Sequence, residues 1–185
     1  MNDASNTNDR AQAGIIARPS EQDGLIAHGV MRVECVRDGR VIWVEEGPNL
    51  IVTTGRNKLL DETLAGSGYT AAWYMGLIDN AGFSAIAAGD TMASHAGWTE
   101  STTYDEGARP TISFAAASAG SKATSAAVVF TISGTVTING VFITTVSTKG
   151  GSTGTLFAGK SFSATRAVVD NDVLNVTYTA SLTAS

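Results

Sequence analysis

The chain has 185 residues, of which 43 % are hydrophobic and 16 % charged, with a formal net charge of −5. Charge is scarcer than the roughly one quarter usual in soluble domains, and small neutral residues, among them 20 Gly, take its place. An acidic chain without a Lys/Arg run excludes nucleic acid as the main partner, since a polyanion is bound through a basic patch. No apolar stretch approaches the ~18 residues that span a bilayer, so no membrane partner is expected.

Residues 1–27 read as an extended N-terminal arm, because Met1–Asn8 is mostly Asn, Asp, Ser and Thr with almost nothing to bury. Met1–Ser20 lacks the apolar core of a signal peptide, so synthesis and retention in the cytoplasm are expected. Residues 28–185 read as one domain. Val30–Arg37 and Val41–Glu46 flank Asp38-Gly39-Arg40, a strong hairpin signal. Met31, Val33 and Cys35 share one face. Cys35 is the only cysteine and reads as a buried structural thiol. Gly47-Pro48-Asn49 is expected to stop the second strand.

Thr53–Leu64 predicts one short helix, near 54–65. Thr53 or Thr54 would cap it, Leu59, Leu60 and Leu64 would form its apolar stripe, and Gly66 would end it. It would serve as a lid on a sheet edge. Beyond it the pattern is β: Ala71–Ile78, Thr111–Ala117, Ala123–Ser133, Thr135–Val146, Ser161–Val169 and Val173–Leu182. In the last of these Leu174, Val176, Tyr178, Ala180 and Leu182 alternate with Asn175, Thr177, Thr179 and Ser181. Strands in succession without helices between them predict a mainly β fold, an antiparallel β-sandwich of jelly-roll-like form. Residues 111–185 carry six charges, Lys122, Lys149, Lys160, Arg166, Asp170 and Asp172. So few charges protect edge strands poorly, and neighbouring subunits are expected to cover them.

Three stretches imitate chemistry. Residues 154–161, from Gly154 through Gly159 and Lys160 to Ser161, match the phosphate-binding pattern G-x-x-x-x-G-K-[ST]. That loop works only between a buried strand and a helix, and neither flanks it here; a Gly-bounded turn region is expected instead. Asp90, Ser94 and His95 can be written as a hydrolytic triad, and Asp90, His95 and Glu100 as a metal site. Ser94 and His95 are adjacent, and the only other histidine, His28, is distant. The structural expectation is that Asp90 caps a short helical turn at Met92–His95, Trp98 packs on the sandwich and Glu100 is exposed. Asp170-Asn171-Asp172 offers too few oxygens for Ca²⁺ and reads as a tight turn. Asn175-Val176-Thr177 matches a glycosylation acceptor, which carries no meaning without a secretory signal. No catalytic, metal or cofactor residue is therefore assigned.

The run Trp73-Tyr74-Met75-Gly76-Leu77-Ile78, the stretch Asp90-Thr91-Met92-Ala93-Ser94-His95 with Gly97-Trp98-Thr99-Glu100, then Tyr104, Arg109-Pro110 and Gly140-Val141-Phe142 resemble virion structural proteins of short-tailed and related bacteriophages. The resemblance covers roughly residues 50–185. It implies a non-enzymatic cement or decoration protein on the capsid exterior, with the major capsid protein and copies of itself, as a dimer or trimer, for partners. It implies no catalytic residues. A tail or fibre-attachment protein is the alternative, followed by a hydrolase or a glycan-binding module built around Trp98 and Tyr104. The arm, Met1–Ala27, and the hairpin, Val30–Glu46, are expected to carry the contacts.

Overall fold

The computed structural model describes residues 24–65 and 69–184. Asp38 and Gly39 take φ of 50° and 73°, left-handed at both positions as in a type I′ turn. They join β1 (Leu25–Arg37) to β2 (Arg40–Pro48), with Arg37 opposite Arg40. Met31, Val33 and Cys35 are fully buried, as their alternation predicts. Strand β1 starts inside the stretch read as arm, because Leu25, Ile26 and Ala27 pair with Ala184, Thr183 and Leu182. The rest of that arm lies outside the described residues. Gly47 and Pro48 stay in the ladder, opposite Met31 and Val30. They redirect the chain only afterwards, when the Asn49 amide donates to the Gly29 carbonyl at 3.0 Å.

The remaining elements are β3 (Leu50–Ile51), α1 (Thr53–Leu60) with a π-helical turn at Asp61–Ala65, β4 (Trp73–Asp79), β5 (Glu100–Ser101), β6 (Thr111–Ile112), β7 (Ser121–Ala123), β8 (Val128–Thr131), β9 (Val136–Thr144), β10 (Leu156–Val168) and β11 (Val173–Ala184). One sheet runs β2-β1-β11-β7, with β8 also on β11; the other runs β3-β10-β9-β4-β5, with β6 also on β4. Every ladder is antiparallel. The first strand pairs the last, and β3 pairs β10 inside that pair, which is the jelly-roll-like nesting of the sandwich. The core lies between the sheets, with Met31, Val33, Phe130 and Val176 facing Met75, Leu77, Val141 and Ile143. A second cluster of Val52, Ile78, Met92, Trp98, Phe142 and Leu156 covers the outer face of the β4–β9–β10 sheet. The loop 80–99 supplies Met92 and Trp98 to that layer, so β9 is buried on both faces.

Several strands differ from the sequence pattern. Thr111–Ala117 shortens to β6 plus an isolated bridge from Phe114 to Thr124, since the alanines after it bury too little to hold a strand. Ala123–Ser133 splits into β7 and β8, which pair with separate stretches of β11. Strand β10 begins at Leu156 rather than Ser161. It also bulges: Ser161 faces Gly140 and Arg166 faces Ile138, so residues 162–165 stand against Asn139 alone. The bulge places Phe162 edge-on to Trp43 at 5.9 Å.

The helix covers β10 but not in the expected manner. Its N-cap is Val52, and no side chain caps it. Thr54 Oγ1 instead donates to the Leu156 carbonyl at 2.8 Å, and Thr53 Oγ1 accepts from Arg56 at 3.1 Å. Leu60 and Leu64 are exposed, and Gly66 lies outside the described residues. Contact is made through Gly55, where an added Cβ would stand 2.1 Å from the Phe157 carbonyl oxygen. Gly→Ala inside a helix normally gains about 1 kcal/mol. Here the backbone clash reverses the sign, and Gly55→Ala is expected to lose about 1–3 kcal/mol, as overpacking does. A thermal melt checks this, and an unchanged or raised midpoint contradicts it.

Candidate functional site

The Asp90–Glu100 stretch folds as a clasp rather than a cleft. The Asp90 carboxylate accepts from the Ala87 amide at 2.8 Å and the Trp98 indole at 2.9 Å. It therefore holds the residues before it and Trp98, and does not cap a helix at Met92–His95; Thr91 and Ser94 close that turn through their backbones. His95 stacks on Trp98 with ring centres 3.9 Å apart, and its Nδ1 lies 2.8 Å from the Trp98 carbonyl oxygen. Ser94 makes its hydrogen bonds to Thr91. No Ser–His–Asp chain forms. Trp98 leans on Phe142 at 5.1 Å.

Glu100 is not exposed. It lies against Arg109, whose side chain is fully buried: Nε meets Oε1 at 2.9 Å and Nη2 meets Oε2 at 2.7 Å, a two-pronged pair. Arg109 also donates to the carbonyls of Val146 at 3.0 Å and Gly151 at 2.7 Å, and its guanidinium sits over the Phe142 ring at 5.3 Å. The Gly150 amide donates to Glu100 at 2.8 Å. This node ties β5, the β9–β10 connection and the loop before β6 together. Trp98 and Tyr104 are both core residues, so neither is available to stack on a sugar.

The phosphate-loop look-alike is a strand. Only Gly154, with φ of 90°, makes a turn; Leu156–Ser161 belongs to β10, and the buried Lys160 donates to the Ser161 carbonyl at 3.2 Å. Asn171, with φ of 65°, makes the turn expected at 170–172. Asp172 is fully buried there, in a fork from Arg37 at 2.6 and 2.7 Å with a third bond from the Val169 amide at 2.9 Å. Among the described residues no three His, Cys, Asp or Glu side chains converge to hold a metal ion. Burial, and then the neighbouring Asp172 charge, push the Cys35 thiol up to about 12. Native protein at pH 8 is expected to be inert to a thiol reagent such as DTNB and to react once unfolded. Rapid native labelling would contradict that.

Sequence reasoning missed Glu45. On β2 it shares the inner row with Trp43 and is buried, accepting from Arg166 Nε at 3.0 Å, Ser163 Oγ at 2.8 Å and the Ser163 amide at 3.2 Å. Burial alone would raise its carboxyl, but the Arg166 and Ser163 bonds outweigh this and hold it below the ordinary carboxylate range. A charge in an apolar inner row was the available signal. Also missed was a groove of about 520 Å³ at one end of the sandwich, lined by Tyr69, Trp73, Phe114, Phe157, Tyr178 and Lys122 among others. Glu62 is its one carboxylate among the described residues and pairs with Lys58 at 3.1 Å. Glycoside hydrolysis commonly needs two.

What is left open is the hairpin. β2 is an edge strand among the described residues. Val30, Val41, Ile42 and Val44 are 40–53 % exposed on it and on β1. The Arg32, Glu34 and Glu46 side chains form an ion-paired strip beside them. No family model matches the chain, and no curated protein matches it.

Proposed function

We propose that the chain is a non-enzymatic structural protein of a tailed-bacteriophage particle, a cement or decoration protein that binds the major capsid protein and copies of itself on the capsid exterior. The observation that carries this reading is the hairpin: an edge strand with exposed Val41, Ile42 and Val44 and, among the described residues, no strand on the side away from β1. A soluble monomer normally blunts such an edge. The reading gains support from Asp90, His95, Glu100 and Asp172, whose polar atoms are engaged in holding loops. Cementing is contact area repeated over a lattice, with each site burying on the order of 1,500 Å².

Cosedimentation of the purified chain with DNA-free shells of the phage that encodes it tests the reading. Saturable binding at hundreds of copies per shell is expected. Binding to isolated tails alone, or to neither, overturns the cement assignment. So does a polysaccharide-hydrolase activity that disappears in Asp90→Asn while the fold persists.

A further inference from the structure

We infer that the open end of the sandwich binds a long-chain carboxylate, an anionic head on an unbranched alkyl chain, with Lys122 meeting the head. The inference goes beyond the assembly reading and does not rest on it.

The argument begins where the inner rows run out of large side chains. Antiparallel residues directly opposite one another share a face of the sheet. Met31 pairs with Tyr178 and Ala27 with Leu182, so the inner row of β11 continues from Leu174, Val176 and Tyr178 to Ala180 and Leu182. The first three are buried, Ala180 is half-buried and Leu182 is exposed. Ala27 on β1 is as small as Ala180. On the other side stand Trp73 and Phe157, edge-on to each other at 5.1 Å. Alanines in the place of large residues leave the end of the sandwich unfilled. The groove of about 520 Å³ opens there, and a second cavity of about 280 Å³ adjoins it; Leu59, Lys122, Phe157 and Ala180 wall both. Cavities of this size, apolar and aromatic with a few polar groups, are the usual form of a small-molecule site.

Lys122 sets the charge of the ligand. It pairs with Ala180 and so belongs to the inner row. Glu45, the inner-row charge of β2, is matched by Arg166. Lys122 has no such match. Its amine donates to the Ala115 carbonyl at 2.9 Å and lies 5.7 Å from the centre of the Phe114 ring, and among the described residues no carboxylate pairs with it. Glu62, the carboxylate of the groove, is already paired with Lys58 at 3.1 Å. One uncompensated cation is left between apolar walls, where its field is strongest on an anion.

The walls set the rest of the ligand. Ile51, Ala117 and Leu182 line the smaller cavity, and Trp73, Phe114 and Ile143 the larger. From Leu182 to Tyr178 the trough follows four residues of β11, about 13 Å. An extended alkyl chain suits that length, and each methylene withdrawn from water strengthens binding about fourfold.

Isothermal titration of the whole chain with dodecanoate, kept below its micelle concentration, tests the inference. Saturable binding of one dodecanoate per chain is expected, with octanoate at least tenfold weaker. Lys122→Glu is expected to weaken dodecanoate at least tenfold and to bind dodecylammonium, which the wild type takes poorly. Lys122 is exposed, so the variant is expected to fold, and a thermal melt checks this. A reversed preference for charge cannot come from damage to the fold. Ala180→Leu, which grows into the wall that the cavities share, is expected to weaken dodecanoate at least tenfold; should it lower the melting midpoint, the Lys122 exchange decides alone. Failure to saturate, equal affinity for the two chain lengths, or indifference of dodecanoate to Lys122→Glu overturns the inference. So does binding to vesicles of anionic phospholipid with none to dodecanoate. None of these results bears on shell binding, so either reading can fail alone.

Discussion

Arg109→Met is expected to destabilise the fold by about 3–5 kcal/mol, the range for removing one partner of a buried ion pair. The arginine side chain is fully buried and Glu100 is 7 % exposed, so water cannot replace either charge. Without Arg109 the carboxylate keeps only the Gly150 amide as a donor among the bonds described above, and the Val146 and Gly151 carbonyls lose their partner as well. The site cannot collapse to compensate. Gly76 lies under it, where an added Cβ would fall 2.3 Å from the Phe142 ring and 3.1 Å from Glu100, so the floor is already at contact distance. Arg109→Lys keeps the charge but not the fork that meets both carboxylate oxygens, and should recover only part of the loss. Arg109→Met combined with Glu100→Gln should be less damaging than the two losses added, because the stranded charge is gone. Urea denaturation of the wild type, Arg109→Met, Glu100→Gln and the double variant decides this; strict additivity would mean that the pair does not hold the loops.

Where one face is buried and the other wet, the alternation of residues was sufficient to read the fold. β1 and β11 follow this pattern, and Met31, Val33, Cys35, Leu174, Val176 and Tyr178 are buried as their spacing requires. The pattern fails where the loop 80–99 lies over β4, β9 and β10. Gly159 looked like turn punctuation, yet it sits inside a strand because Ile86 of that loop packs on it; an added Cβ would be 2.9 Å from the isoleucine Cδ1. Gly140 is small for the same kind of reason, with the Lys160 carbonyl oxygen 2.4 Å from where its Cβ would be. Close approach and turning both select glycine, and spacing alone does not separate them. The helix failed differently. Three leucines outweighed a glycine in the pattern, but Gly55 is the residue that lets the helix reach β10.

The candidate site divides along the same line. That Asp90, His95 and Trp98 belong together was legible, because they are close in sequence. Their roles were not. Asp90 bonds to Trp98 rather than to a helix, and Glu100 finds Arg109 only because the loop between them doubles back over Phe142. Arg37 with Asp172, and Glu45 with Arg166, are pairs separated by more than 100 residues. No local pattern announces them.

Asp172→Asn is expected to cost about 2 kcal/mol at neutral pH, the scale of hydrogen bonds to a charged group. The carboxylate accepts two bonds from Arg37 and one from the Val169 amide. An amide of the same shape presents a donor to at least one of these donors. The bonds from Arg37 hold Asp172 below its ordinary 3.8 in spite of burial, which acts the other way. A carboxylate depressed on folding contributes stability that is fully present above its unfolded value and is lost as pH falls through its folded one. Glu45, depressed too, adds to the same trend. Wild-type stability should therefore fall as pH drops below about 4, with a shallower fall in Asp172→Asn, so that the two curves converge in acid. Arg37→Ala separates charge from shape. It leaves a buried carboxylate without its cation, which lifts rather than lowers the proton affinity of Asp172, and its deficit against wild type should shrink as pH falls. Denaturation midpoints measured between pH 7 and pH 3 test both statements. Parallel curves for all three proteins would mean that Asp172 closes the β10–β11 corner by shape alone.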